Sequence, residues 1–365
     1  VKINIETILS DTFKESFIIK ESGIFGIPCI LINPNPETAW NKENIVFRSS
    51  IWDKQGNLLS AGFKKFVNIF EKPDVFTPPN NLDKTNILNK IDGSCMICDL
   101  INGELSVRTR GTFSYKTLDN AKDFEFAINK YPQIKEFLQE KPSCTILFEI
   151  VTPNNKIIID YGKDIEIYLI GCIDKAGYTL LSQYTLDKIA QFYGFKRPER
   201  ISANSLDELI SAIKNTNGIE GCCLYTDNDQ HIFKIKSDYW LKLHALKEDL
   251  GSLSKIIKLY FSLEDRSLES LKKSIELSLD FECLSFCSDN LYQLEKLINS
   301  AQEKYMDILL FIKNNNLAKI PRKEAAKIIL ENDKEFSGFY FNVLDGKIYQ
   351  SMEEKLLNKI LENVK

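Results

Sequence analysis

The texture of the chain changes once, near His244, and that change limits the folds open to it. From Ile45 to about Leu243 the apolar residues come in short β-branched and aromatic runs: IVFRSSIW, SCMICDLING, ELSVRTRG, CTILFEIVT, KIIIDYG, IEIYLIGCID, GCCLYT and HIFKIK. Many close on Gly, Asn or Asp, as at Asn102-Gly103, which is the punctuation of strands and hairpins. Beyond His244 glycine and proline become rare. There Leu253, Ile256, Ile257, Tyr260 and Leu263 recur at helical spacing, followed by Leu268, Leu271 and Ile275. Residues 1–20 read as a helix, and two helical inserts, 120–140 and 205–216, interrupt the strand-rich part. The reading is an α+β chain, with a β-rich domain over residues 1–245 and a smaller all-α domain over 246–365. A length of 365 residues fits two such domains.

Charge argues against a protein held to nucleic acid by its bulk field. Lys+Arg number 47 against 51 Asp+Glu, a formal charge of −4 with a pI near 5.6. Any polyanion must therefore be met by a local cluster of cations. Only two histidines, His231 and His244, are present, so histidine-dependent catalysis has little to work with. No run of about 18 apolar residues occurs, which predicts no membrane span. The opening VKINIETILSDTFKESF carries acids where an export signal would carry a basic start and an apolar core. Nine scattered cysteines without such a signal read as reduced thiols in a cytoplasm. Cys95 and Cys98 have C-x-x-C spacing, but no second Cys/His pair sits at zinc-ribbon distance. A phosphate-binding P-loop is missing, since Gly162-Lys163 is followed by Asp164.

Chemistry concentrates where charges interrupt apolar strands. Lys90 precedes an acid-Gly turn in Asn89-Lys90-Ile91-Asp92-Gly93-Ser94. Arg108 and Arg110 share one face of SVRTRG by strand alternation, and so do Lys234 and Lys236 of HIFKIKSD. Glu149 breaks the apolar run TILFEIV, and Glu220-Gly221 opens GCCLY. Each strand alone has a plain explanation, an amphipathic strand with one solvated face; Glu149, apolar on both sides, fits that explanation worst. A buried charge is expensive unless paired or bound, so several such strands invite a common cause.

Taken in order, Lys90-Ile91-Asp92-Gly93, the Glu149 strand, Ile219-Glu220-Gly221 and Phe233-Lys234-Ile235-Lys236 resemble motifs I, III, IV and V of the covalent nucleotidyltransferases. These are the ATP-dependent DNA and RNA ligases and the mRNA capping enzymes. The longer strings LFEIVTPNNKIIIDYG, IEGCCLYTDNDQHIFKIKSDYWLKLH and GFKKFVNIFEKP are similar to the bacteriophage RNA ligase 1 family, over roughly residues 45–245. The resemblance implies a nucleotidyltransferase (adenylyltransferase) domain on antiparallel β-sheets, with ATP as substrate and Mg²⁺ or Mn²⁺ as cofactor.

It also implies roles. Lys90 would be the nucleophile that forms lysyl-AMP, its pKa lowered by Lys234, Lys236 and the metal so that some neutral amine exists near pH 7. Lys236, with Lys234, would contact the α-phosphate, and Arg48 and Lys65 the nucleotide phosphates, with Lys64 as the neighbouring alternative. Glu149 would hold the ribose hydroxyls and Glu220 the metal. Asp92 would help form the turn, and Gly93 would let the backbone approach the nucleotide. Glu264-Asp265 offers a second metal position by loose analogy, against the plainer reading of a solvated helix end.

Departures from the family pattern are few. Arg110 stands at the motif Ia lysine, Ile91 stands where a near relative has an acid, and Tyr239-Trp240 inverts the expected aromatic order. The activity implied is RNA joining through lysyl-AMP and an adenylated RNA 5′ end, in RNA or tRNA repair. No kinase motif is present, so a separate kinase/phosphatase would supply 5′-phosphate and 3′-hydroxyl ends. Capping enzymes and DNA ligases share the motif set. Most of them follow motif V with a β-barrel, whereas residues 246–365 read as helical. A silent RNA-binding relative is the third reading, with the charged positions kept but no chemistry. The helical part, with 18 Lys+Arg against 20 Asp+Glu, has no basic pull of its own, and serves either RNA specificity or plain support.

Overall fold

Every strand falls within residues 17–236 in a computed structural model that describes residues 2–71, 76–278 and 287–364. The strands are β1 (Phe17–Ile24), β2 (Ile27–Pro34), β3 (Ser50–Asp53), β4 (Leu58–Ser60), β5 (Val67–Asn68), β6 (Asn86–Lys90) and β7 (Ser94–Ile101). They continue with β8 (Glu104–Arg108), β9 (Cys144–Val151), β10 (Glu166–Asp174), β11 (Thr179–Leu180), β12 (Gly221–Thr226) and β13 (His231–Lys236). Three sheets result, ordered β1-β2-β3-β4, β11-β10-β9-β7-β8 and β5-β13-β12-β6. All neighbours are antiparallel except β5, which runs parallel to β13. The chain divides into two units, Val1–His244 and Ala245–Lys365.

Strand alternation decides which side of each sheet is buried against what. Leu88 and Tyr225 of the third sheet, Ile97, Leu147 and Ile173 of the second, and Ile30 and Trp52 of the first meet in one apolar core. The opposite face of the second sheet is covered by helices Ala121–Lys130, Gln133–Glu140 and Gln183–Tyr193 through Phe124, Phe137, Leu138 and Leu186. Helix Leu206–Asn215 covers the outer face of the third sheet with Leu209 and Ile213. The second and third sheets are therefore packed on two faces, which leaves strand ends and their loops as the places for polar chemistry.

The second unit is built by itself from helices that include Leu253–Ser262, Leu268–Ser278, Ser288–Asn314, Arg322–Asn332, Ser337–Leu344 and Tyr349–Val364. Their core holds Ile256, Leu271, Leu294, Ala301, Ile308, Ile329, Leu356 and Leu357, all fully or nearly fully buried. At about 1.5–3 kcal/mol per buried Leu or Ile side chain, this stripe is what keeps the helices together.

The local readings differ from the structure in four places. The first 20 residues make two short helices, Ile5–Leu9 and Asp11–Ser16, and then turn into β1. A two-residue turn at Phe25-Gly26, both at positive φ, folds β1 back onto β2, and that pairing overrides the helical spacing of Phe17–Lys20. The run IVFRSSIW is a strand only from Ser50. A short 3₁₀ turn, Asn44–Val46, and Ser49 at φ +73° precede it. KIIIDYG pairs with no strand; its amides are taken by side chains instead, as described below. Helix Gln183–Tyr193, capped by Ser182 and ended by Gly194 at φ +74°, was not anticipated. Cys283 lies outside the described residues. Cys29, Cys95, Cys98, Cys144, Cys172, Cys222 and Cys223 are free thiols.

Candidate active site

Strand register brings the motif residues together. Gly221 of β12 is paired with Lys90 of β6 on one side and Lys236 of β13 on the other. Directly paired residues share a face, so the two lysines flank Gly221 and point the same way, with Lys234 one step behind. A side chain at 221 is impossible here. Its Cβ would sit 2.0 Å from the Ile235 carbonyl oxygen, and φ is +151°. Ser237 locks the end of this sheet: its hydroxyl donates to the Ile219 carbonyl at 2.6 Å and accepts the Trp240 N–H at 3.0 Å.

Glu220, 3 % exposed, is held between the two lysines. Lys90 Nζ donates to its Oε2 at 2.7 Å, and Lys236 Nζ lies 3.3 Å from its Oε1. Lys236 also sits 3.5 Å above the Trp240 ring, which is itself buried and stacked on His244. Trp240 is thus the aromatic of the inverted Tyr-Trp pair that meets the site.

Glu149 on β9 lies opposite Cys95 and Tyr168 of the neighbouring strands. Burial pushes its carboxyl up to about 7, against the pull of Lys90 and a hydrogen bond from the Gly93 N–H. Gly93 is needed for that approach, because a Cβ there would stand 2.3 Å from the Ile150 carbonyl oxygen. Its lack of a side chain serves strand packing and the Glu149 contact.

Asp92 has a structural task, as a residue of the turn and as an anchor for a remote loop. Its buried Oδ2 accepts the Ile158 and Ile159 N–H groups at 2.8 and 2.9 Å, while its own N–H donates to the Tyr161 hydroxyl at 2.8 Å. This reciprocal clasp ties the KIIIDYG segment to the lysine-bearing turn and explains why that segment needs no strand partner. Tyr161 was missed by sequence reasoning, and nothing in its spacing marks it out.

The remaining cations gather near Phe66. The Arg48 guanidinium lies 4.4 Å and Lys234 Nζ 5.7 Å from that ring. Burial, then Lys236, Arg48, Lys90 and Lys65, lower Lys234 to about 8. Arg48 is lowered to about 10 by burial and then by Arg110. Lys65 Nζ is 5.4 Å from the Trp40 ring, whereas Lys64 Nζ is 5.8 Å from Tyr178. Lys90, Lys234, Lys236, Arg48 and Lys65 thus gather near Glu149 and Glu220, which makes a receptor for a polyanion.

Three expectations are corrected. Burial opposes the charge on Lys90, but Glu220 and Glu149 outweigh it and hold the amine above the usual lysine range, so its neighbours do not lower its pKa in the free protein. Arg108 does not share a solvated face with Arg110. It is fully buried and donates to Ser60 Oγ, Ser49 Oγ, the Ser49 carbonyl and the Thr109 carbonyl at 2.8–3.1 Å, while Arg110 lies past the end of β8 and is exposed. Asp265 accepts from Ser267 and Ser270 at the start of helix Leu268–Ser278, the plain helix-end role, and Glu264 beside it is exposed.

Among the described residues no group of three His, Cys, Asp or Glu could hold a metal ion. Glu220 and Glu149 are hard oxygen donors beside a cationic pocket. They suit an ion such as Mg²⁺ whose other ligands are phosphate oxygens and water.

A strand-borne lysine ion-paired to a buried glutamate thus sits among cations at the ends of a mixed sheet and an antiparallel one. The RNA ligase family profile matches residues 46–243, more than half of the chain, and the chain belongs to that family, the phage RNA ligase 1 type. With membership comes the enzyme class, an ATP-dependent RNA ligase. The fold is similar to that of a putative ATP-dependent DNA ligase from Aquifex aeolicus, at 15% identity and a TM-score of 0.50, covering 83% of this chain and 81% of that one. An archaeal ATP-dependent RNA ligase matches at 14% identity and TM-score 0.48, covering 82% and 79%. A mutant Naegleria gruberi RNA ligase with ATP and Mn matches at 12% and 0.41, covering 67% and 84%.

Proposed function

We propose that this enzyme seals RNA 5′-phosphate to 3′-hydroxyl ends through lysyl-AMP and an adenylated RNA. In the first step the neutral Lys90 amine attacks the ATP α-phosphorus. A P–N bond forms, the bond from that phosphorus to the bridging oxygen breaks, pyrophosphate leaves, and the amine loses a proton. Next an oxygen of the RNA 5′-phosphate attacks the same phosphorus and Lys90 departs. Finally the 3′-hydroxyl attacks the RNA phosphate, AMP leaves, and the phosphodiester is made.

The observation that carries this reading is Lys90 Nζ at 2.7 Å from Glu220, with Lys236 on the other carboxylate oxygen. Lys90 must leave that pair to become a nucleophile. Lys234 and Lys236 would then take the α-phosphate, with Arg48, Lys65 and Arg110 on the rest of the phosphate chain, where fixed cations stabilise developing charge. Glu149 would accept from the ribose hydroxyls. A divalent ion, held by Glu220 with Glu149 near, would supply charge stabilisation at the phosphates.

Residues 1–245 would carry this adenylation chemistry, and residues 246–365 a preference for structured RNA such as a broken tRNA anticodon stem-loop. A separate end-healing kinase/phosphatase would prepare the ends, in a cytoplasm that keeps the thiols reduced. Incubation with α-labelled ATP and Mg²⁺ tests the core of the reading: the protein should become covalently labelled, and Lys90→Ala should not. Label retained in Lys90→Ala, or none in the native sequence, overturns it. Deleting 247–365 tests the second part, which expects loss of tRNA joining with joining of linear RNA retained.

A further inference from the structure

Outside the nucleotide site, an open groove of about 730 Å³ runs between β1 and the loop that follows β8. β1 is the outer strand of its sheet, so one edge of its backbone has no strand partner among the described residues. The charges lining the groove are Lys20 and Lys116 against one acid, Glu104. Phe25, at the tip of the β1–β2 turn and 44% exposed, is the aromatic offered to solvent at its rim.

Cations lead from the groove toward the nucleotide site. Lys20 Nζ reaches across it to the Gly111 carbonyl at 3.1 Å. Gly111 follows Arg110, an exposed cation close enough to act on Arg48 in the nucleotide site. Arg48, Arg110 and Lys20 thus form a cationic path from that site to the groove, and Lys116 extends it.

We propose that this groove holds the single-stranded RNA next to the end being joined, with backbone phosphates on Lys20 and Lys116 and a base stacked on Phe25. The proposal rests on the RNA ligase reading and adds to it the route by which substrate arrives. A neutral carbonyl is a weaker partner for an ammonium than a phosphate oxygen, so RNA would draw Lys20 off Gly111. Aromatic stacking is indifferent to base identity, which suits an enzyme that acts on ends. The low overall charge fits as well, since a short cationic path can bind a strand end without a basic surface.

Charge reversal in the full chain, Lys20→Glu with Lys116→Glu, tests the proposal. Fluorescence anisotropy would follow binding of a short 5′-phosphorylated single-stranded RNA at several salt concentrations. RNA affinity should fall at least tenfold, and the slope of log K against log salt should flatten by about 1.4, at ~0.7 per phosphate contact on a single strand. Phe25→Ser should cost about tenfold on its own, as expected for one lost stack. Lysyl-AMP formation from ATP should proceed at the native rate in all of these variants, which also reports that they fold. RNA affinity and salt slope equal to the native values, in a variant that still labels, overturn the proposal. An extended peptide adding to the free edge of β1 is the competing occupant, and charge reversal would leave such edge pairing and the RNA affinity untouched. A native chain that labels and binds RNA but joins none counts against the joining reading alone, because the groove is judged on affinity.

Discussion

Glu149→Gln should stabilise the unit Val1–His244 at alkaline pH while removing the carboxylate proposed to hold the ribose. Burial raises the Glu149 carboxyl from 4.5 to about 7, even with Lys90 and the Gly93 N–H drawing it down. Folding therefore strengthens its hold on the proton. The stability this group contributes is complete below about pH 4.5 and is lost as pH rises through 7. Worked at ~1.4 kcal/mol per pH unit, an ionised Glu149 costs the folded unit about 3 kcal/mol above pH 7. Glutamine keeps the shape and the acceptor for Gly93 but never ionises. The stability difference between variant and native chain should thus grow by about 3 kcal/mol, in the variant's favour, from pH 4.5 to pH 8. Urea unfolding followed by tryptophan emission is the assay, because Trp40, Trp52 and Trp240 all lie in this unit. A difference that stays flat with pH, or that turns against the variant at pH 8, would refute the buried-carboxyl argument.

Lys234, depressed to about 8, is charged below that pH and neutral above it. The kcat/KM for lysyl-AMP formation should rise with pH as neutral Lys90 becomes available and level off above about pH 8 as Lys234 loses its charge, and Lys234→Arg should extend the rise to higher pH in a pH–rate profile. Gly221→Ala forces a methyl to within 2.0 Å of a backbone oxygen and should cost about 3 kcal/mol or more in thermal melting, with labelling lost. Arg108→Ala should destabilise by about 3–5 kcal/mol, since it strips donors from a fully buried network. Arg110→Ala, on the surface, should shift stability by no more than about 0.5 kcal/mol and slow the reaction instead, as urea midpoints and labelling rates would show.

Much of the fold was legible because periodicity is local. SCMICDLI, CTILFEIV, GCCLYT and HIFKIK form the strands their composition promised, and helices follow after His244. Two of the failures share one physical source. Phe17–Ile24 and KIIIDYG each carry an apolar pattern whose partner is remote in sequence: β2 through a tight turn for the first, Asp92 and Tyr161 for the second. No spacing rule sees such partners.

The site divides the same way. The amino-acid order alone was enough to single out Lys90, Glu149, Glu220, Lys234 and Lys236, because charges inside apolar strands must be compensated somewhere. It could not say by what. Only the packed sheets decided that Lys90 and Lys236 share Glu220 across Gly221, and that Lys90 is consequently held as an ammonium. They also decided that Asp92 caps a loop, and that Arg108 is a core residue while Arg110 faces solvent. Residue type sets what a side chain can do. Its pKa, its partner and its exposure are properties of neighbours, and long-range pairing chooses the neighbours.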